Sequence, residues 1–380
     1  DLTGGEGNDT LIGGAGDDTL VGGNGNDTFK VDSGTDAITG LATGDVLVVS
    51  NSAIANASDI ASFTADFGTK NDGAATLTVR TAGGVINLSD ATVATGTYTI
   101  KVGNGTDTVT GTSGDDIFEV VTGGEGDADT IDGGDGIDEL KLSTGTHTFS
   151  NNNNLANIET FTLNTSGSVV DFTGQLESLT LTGAGGIDNI TGGNTGDIIS
   201  GNDNADILAG GAGDDTISGG LGADIITGGA DDDTLTGGDG NDTFNIDDGS
   251  DIITDLITGD IIVISSGATL NASGITAFEA TGASSNANTS ASSATLTAAS
   301  GTVTIDMTAS NGKYTIVGGS GDNTLKAGQQ DSTLRGMDGN DIIVGDAGAD
   351  DLTGGVGSDT MTGNGGNDTF RVDSGSDIIS

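Results

Sequence analysis

Apolar residues along this chain recur with a period of nine. Residues 4–12 read GGEGNDTLI, 13–21 GGAGDDTLV and 22–30 GGNGNDTFK. Counting the first glycine as column one, column eight is large and apolar in every copy: Leu11, Leu20, Phe29, Ile38 and Leu47, and later Ile190, Ile199, Leu208, Ile217, Ile226, Leu235, Phe244, Ile253 and Ile262. Columns one, two and four are mostly Gly, while seven and nine are rich in Thr and Ser. Six residues of glycine-rich turn followed by three of strand make half a coil. The pattern therefore predicts an all-β fold, a right-handed parallel β-roll or β-helix solenoid with about 18 residues per coil. Successive coils would stack at the strand spacing of about 4.8 Å. Column eight would point inward and columns seven and nine to solvent.

Seven segments follow. Nonapeptide rolls are predicted at 1–48, 102–141, 183–263 and 318–380. Residues 49–101 and 264–317 are related to each other, SNSAIANASDIASF matching SSGATLNASGITAF and GTYTIKVG matching GKYTIVGG. Their alternating apolar positions, such as Leu77 and Val79 or Val303, Ile305 and Met307, predict Thr/Ala-rich β inserts. In 142–182, Ile158, Phe161 and Leu163 precede Leu176, Leu179 and Leu181 by one 18-residue period, which predicts that the solenoid continues there. These stretches lack the Gly-Gly and Asp columns and are expected to be metal-free. A longer motif, NDTFKVDSGTDAI at 26–38, returns at 241–253 and 367–379. The chain begins inside a nonapeptide and stops where earlier copies of this motif run on, so we expect a segment of a longer repetitive polypeptide.

Composition narrows the function. The 380 residues include 70 Gly but no Pro, Cys or Trp, and 57 acidic against 9 basic residues give a formal charge of −48. Absent cysteine rules out disulfides and thiolate metal sites. The charge repels nucleic acid and anionic lipid, and no run is apolar enough to cross a membrane as a helix. So acidic a chain with 3% aromatics would ordinarily be disordered. The periodicity says that something neutralises it.

Column six identifies what. It carries Asp9, Asp18, Asp27 and Asp36; Asp107, Asp116, Asp129 and Asp138; Asp188, Asp197, Asp206, Asp215, Asp224, Asp233, Asp242 and Asp251; and Asp341, Asp350, Asp359, Asp368 and Asp377, failing at Asn323 and Ser332. Stacked one coil apart, each like-charge contact would cost roughly 3 kcal/mol at an effective dielectric near 20. Calcium takes oxygen ligands in flexible geometry, and carboxylates from two stacked turns plus turn carbonyls meet its demand. Magnesium keeps its waters and zinc prefers N or S, so neither suits. Roughly 12 to 17 Ca²⁺ ions are expected from the number of stacked repeats, with folding and binding as one equilibrium.

The pattern GGxGxDxUx, with U a large apolar residue, resembles that of the RTX (repeats-in-toxin) family of calcium-binding nonapeptide-repeat proteins. The ANIETFTLN phrase is similar to one in bacterial S-layer and giant surface proteins that carry RTX blocks. The resemblance implies calcium in the turns, type I secretion and folding in extracellular calcium. No HExxH, GxSxG or phosphate loop occurs, and no carboxylate pair stands out as a dyad. The single histidine, His147, is expected to be a solvated loop residue. The expected function is a non-enzymatic, secreted structural segment at the cell surface: an S-layer subunit, filament or giant surface protein that self-associates into a layer or filament. The alternatives are the stalk of an adhesin, with a surface polysaccharide or adhesion ligand as partner, and the calcium-binding portion of a secreted enzyme or toxin.

Overall fold

In a computed structural model, residues 1–79, 83–93, 96–103, 105–120, 129–149, 154–163, 166–287 and 294–380 are described. The residues inserted within the second run, 121–128, lie outside this set. The chain forms two compact units, Asp1–Gly186 and Ile187–Ser380. Each is a parallel β-solenoid, and together they amount to about 20 coils of about 18 residues. Among the described residues there is no helix long and apolar enough to cross a membrane.

Column eight builds the core. In the first unit Leu11 pairs with Phe29 and Phe29 with Leu47, while Leu20 pairs with Ile38 on the opposite face. In the second, Ile190, Leu208, Ile226, Phe244 and Ile262 form one vertical row, and Ile199, Ile217, Leu235 and Ile253 another. All are buried. Each row stacks like on like one coil apart, which keeps the interior dry although aromatic residues are scarce.

The first unit has one face that persists throughout, from Leu2–Glu6 and Thr19–Asn24 to Thr160–Thr162 and Thr180–Thr182. Its companion face changes. Thr10–Ile12, Thr28–Val31 and Val46–Val49 form the first companion, which ends with Lys70–Asn71 and Thr92–Val93. A second companion begins inside the insert at Ser62–Thr64 and continues through Val85–Asn87, Thr108–Thr110 and Thr130–Asp132. Insert coils thus carry three strands, in the order persistent, new, old. The second unit repeats the device: Ile225–Ala230, Thr243–Ile246 and Ile261–Ile264 end with Ser285–Asn286, while a new companion starts at Ala277–Glu279 and continues through Thr304–Asp306 and Thr324–Lys326.

The longer coils explain one departure from the sequence reading. In 142–182 the register pairs Phe161 with Leu181, an offset of twenty, not with Leu179. The extra residues accommodate an aromatic cluster in which Phe149 stacks on Phe172 at 5.2 Å and Phe161 meets Phe172 edge-on at 4.8 Å. His147 also departs from expectation. It lies in the strand Gly145–Thr148, pairs with Val170, is fully buried, and its Nε2 is 2.8 Å from the Ser143 carbonyl oxygen. Strand alternation turns it inward, and the backbone carbonyl satisfies its ring.

Candidate metal centres

The turns between strands carry a ladder of aspartates. The backbone N–H of a column-six aspartate donates to Oδ1 of the aspartate one coil later: Asp9 to Asp27 at 2.9 Å, Asp206 to Asp224 at 2.7 Å, Asp215 to Asp233 at 2.8 Å and Asp341 to Asp359 at 2.8 Å. Column five runs a ladder of opposite sense, since the N–H of Asn26 donates to Asn8, that of Asp232 to Asp214 and that of Asn340 to Asp322. This second ladder explains the Asn or Asp at column five of the NDT and DDT triplets and was not foreseen from sequence.

The second carboxylate oxygen is the chemically unusual one. Oδ2 of Asp9, Asp27, Asp36, Asp138, Asp206, Asp215, Asp224, Asp233, Asp242, Asp251, Asp341 and Asp359 is buried and has no hydrogen-bond partner. A buried carboxylate oxygen without a partner is strongly destabilising. Burial pushes six of them up, to about 6 for Asp206, Asp233 and Asp341 and to about 7 for Asp138, Asp215 and Asp251, with neighbouring aspartates adding to the shift. Ten of these twelve oxygens lie against the column-one glycine of their own turn, the exceptions being those of Asp36 and Asp251, whose turns begin with Val31 and Ile246: a methyl group at Gly22 would sit 2.6 Å from Asp27 Oδ2 and 2.7 Å from the Phe29 ring. Column one is therefore glycine because the carboxylate occupies the place of a side chain.

Calcium fits this donor set. It would supply positive charge to the orphaned oxygens and draw its remaining ligands from turn carbonyls. Among the described residues no three carboxylates or imidazoles converge, so backbone oxygens would form most of any coordination shell. Asn323 makes the same point by substitution. At this column-six position the side-chain Nδ2 donates to the carbonyl oxygens of Gly319 and Gly321, at 3.3 and 2.8 Å, so an amide supplies the positive charge that an aspartate would need from an ion. Ser332 bonds within its turn, to the Gln330 carbonyl.

The other sequence-nominated aspartates divide. Asp18, Asp368 and Asp377 are only half-buried, at outer turns, and Asp129 and Asp188 are buried within their ladders. Asp107, Asp116, Asp197 and Asp350 are buried, but each also accepts a peptide N–H at Oδ2, from Gly103, Thr112, Gly193 and Asp346. Sequence reasoning did not nominate Asp45 and Asp260, which complete the ladders as acceptors from Asp27 and Asp242. It also missed Glu159, which takes the N–H of Asp138. Column position would have found the first two. Inserted residues shift Glu159 out of register.

Repeated turns, each presenting a buried aspartate oxygen beside close-packed backbone, define a calcium-binding β-roll. The family model described as "RTX calcium-binding nonapeptide repeat (4 copies)" matches residues 3–38, 182–217, 218–253, 317–352 and 344–379, and the repeat of this chain is that RTX repeat. The run at 102–141 lies outside the matched ranges. A search of curated proteins finds no match.

Proposed function

We propose that this chain is a calcium-binding structural segment of a secreted bacterial cell-surface protein, an S-layer, surface filament or giant surface protein that folds and assembles on meeting extracellular Ca²⁺. RTX calcium-binding repeats are typical of secreted proteins. The observation that carries the reading is the series of orphaned carboxylate oxygens along both units, which makes the solenoid itself the calcium-responsive element. The column-six aspartates would hold the ions, and calcium would remove the charge that opposes folding. One face of the second unit is free of charge along consecutive strands. The strands Ile207–Ala212, Ile225–Ala230 and Thr243–Ile246 carry no charged residue, so charge-neutralised turns would let copies approach.

The test is negative-stain electron microscopy and light scattering of the chain in millimolar calcium and in chelator. Ordered layers or filaments that form with calcium and dissolve without it are expected. Particles that stay single in calcium would overturn the assembly role and favour an adhesin stalk.

A further inference from the structure

Column-six carboxylates occur in two states. In the open state Oδ2 has no partner, as at Asp215 and Asp224. In the closed state Oδ2 accepts a peptide N–H from its own turn at 3.1 Å or less: Asp45 from Ala42 at 2.8 Å, Asp116 from Thr112 at 2.6 Å, Asp197 from Gly193 at 2.7 Å, Asp260 from Ile257 at 2.8 Å and Asp350 from Asp346 at 3.1 Å, the bond from Gly103 to Asp107 being longer at 3.3 Å. Resting on the reading that column six holds calcium, we propose that these five turns take no ion and that the calcium rows end at them in a peptide cap.

Backbone conformation separates the two states. In the open turns that begin with glycine, column two lies at positive φ, as at Gly211 (+114°), Gly220 (+111°) and even the non-glycine residues Asn202 (+73°) and Met337 (+78°). The column-two residues of the closed turns, Leu41, Thr112, Gly193, Leu256 and Asp346, are not at positive φ. The closing donor is column two itself at Thr112, Gly193 and Asp346, and column three at Ala42 and Ile257. A peptide N–H aimed at the carboxylate oxygen carries partial positive charge where a cation would have to sit, so the two exclude each other.

Four of the closed turns lie at the ends of their aspartate ladders. An ion shared between coils needs an acidic oxygen from each. The coil below Asp116 presents Tyr98 and the coil below Asp350 presents Ser332, neither of them acidic. Asp45 and Asp260 are the last aspartates of their ladders before the inserts. Ladder position does not decide closure by itself, because Asp36 and Asp251 also end their ladders and Asp341 lies above Asn323, yet all three are open; closure also needs the column-two conformation described above.

The test counts bound calcium by plasma mass spectrometry after equilibrium dialysis of the full 380-residue chain, comparing Asp224→Asn with Asp260→Asn and Asp350→Asn. Loss of at least one ion is expected for Asp224→Asn and none for the other two. Calcium loss from the Asp260 and Asp350 variants equal to that from Asp224→Asn would overturn closure while leaving the column-six reading intact. An unchanged count in all three would overturn both. Hydrogen exchange of the unmutated, calcium-saturated chain is independent of variant folding. The Ala42, Thr112 and Ile257 amides should stay protected, and their rapid exchange would overturn the proposal.

Discussion

Gly301 and Gly321 stand one coil apart, at φ +105° and +125°, and differ in what lies beneath them. A methyl group on Gly301 would meet nothing within 4 Å, whereas one on Gly321 would lie 2.8 Å from the carbonyl carbon and oxygen of Gly301 and 3.1 Å from its Cα. Gly301→Ala should therefore show only the strain of a positive φ, roughly 1–3 kcal/mol. Gly321→Ala adds overlap with backbone that cannot rotate away, about 1–3 kcal/mol more by analogy with overpacked cores. For a unit of this size roughly 2–4 °C of melting temperature corresponds to each kcal/mol. Gly321→Ala should accordingly melt several degrees below Gly301→Ala when both are followed by circular dichroism in saturating calcium. Equal melting temperatures would mean that turn-on-turn contact does not limit stability, and the account of the glycine columns as a close-packing requirement would fail.

Three further outcomes are expected. In chelator, β-structure should increase as pH falls from about 8 toward 4. Burial raises carboxyls such as Asp215 and Asp251 to about 7 in the fold against an ordinary value of 3.8, so the folded state binds the extra protons and loses that advantage as pH rises through about 7; a pH-independent spectrum would contradict this, and in calcium the same protons should compete with the ion. Asn323→Asp, followed by titration calorimetry, should add a calcium ion and weaken the fold in chelator, because the amide bonds to Gly319 and Gly321 are exchanged for an open carboxylate; an unchanged stoichiometry counts against the substitution argument. Tyr98→Phe should be neutral or stabilising by up to about 1 kcal/mol, since its buried hydroxyl has no partner, while Tyr314→Phe should cost about 1 kcal/mol through the lost bond to Ser310; chemical denaturation distinguishes the two.

Much of this was legible because the nonapeptide writes one coil position per column. Leu208 and Ile226 had to stack once the period was known, and the structure buries them in one row. Asp206 and Asp224 were legible for the same reason. What periodicity could not convey was direction within the turn. Asp197 and Asp215 share a column and a sequence context, yet one carboxylate is closed by a peptide and the other is open. That choice rests on the φ of column two, and Gly193 and Gly211 are both glycine. Where the period breaks, prediction broke too. His147 and the Phe161–Leu181 register lie in coils lengthened to hold aromatic side chains, and the 18-residue echo between Phe161 and Leu179 points there to the wrong partner.

The exchange of companion faces has a geometric consequence. Within each unit the persistent sheet runs unbroken while the opposite face is replaced by one introduced between it and its predecessor. Because the column-six turns sit where a companion joins the persistent sheet, changing the companion gives the following acidic turns a different neighbouring sheet while the persistent sheet continues. An insert therefore acts as a switch of partners, and its position along the chain sets which companion sheet the next bank of aspartate turns borders.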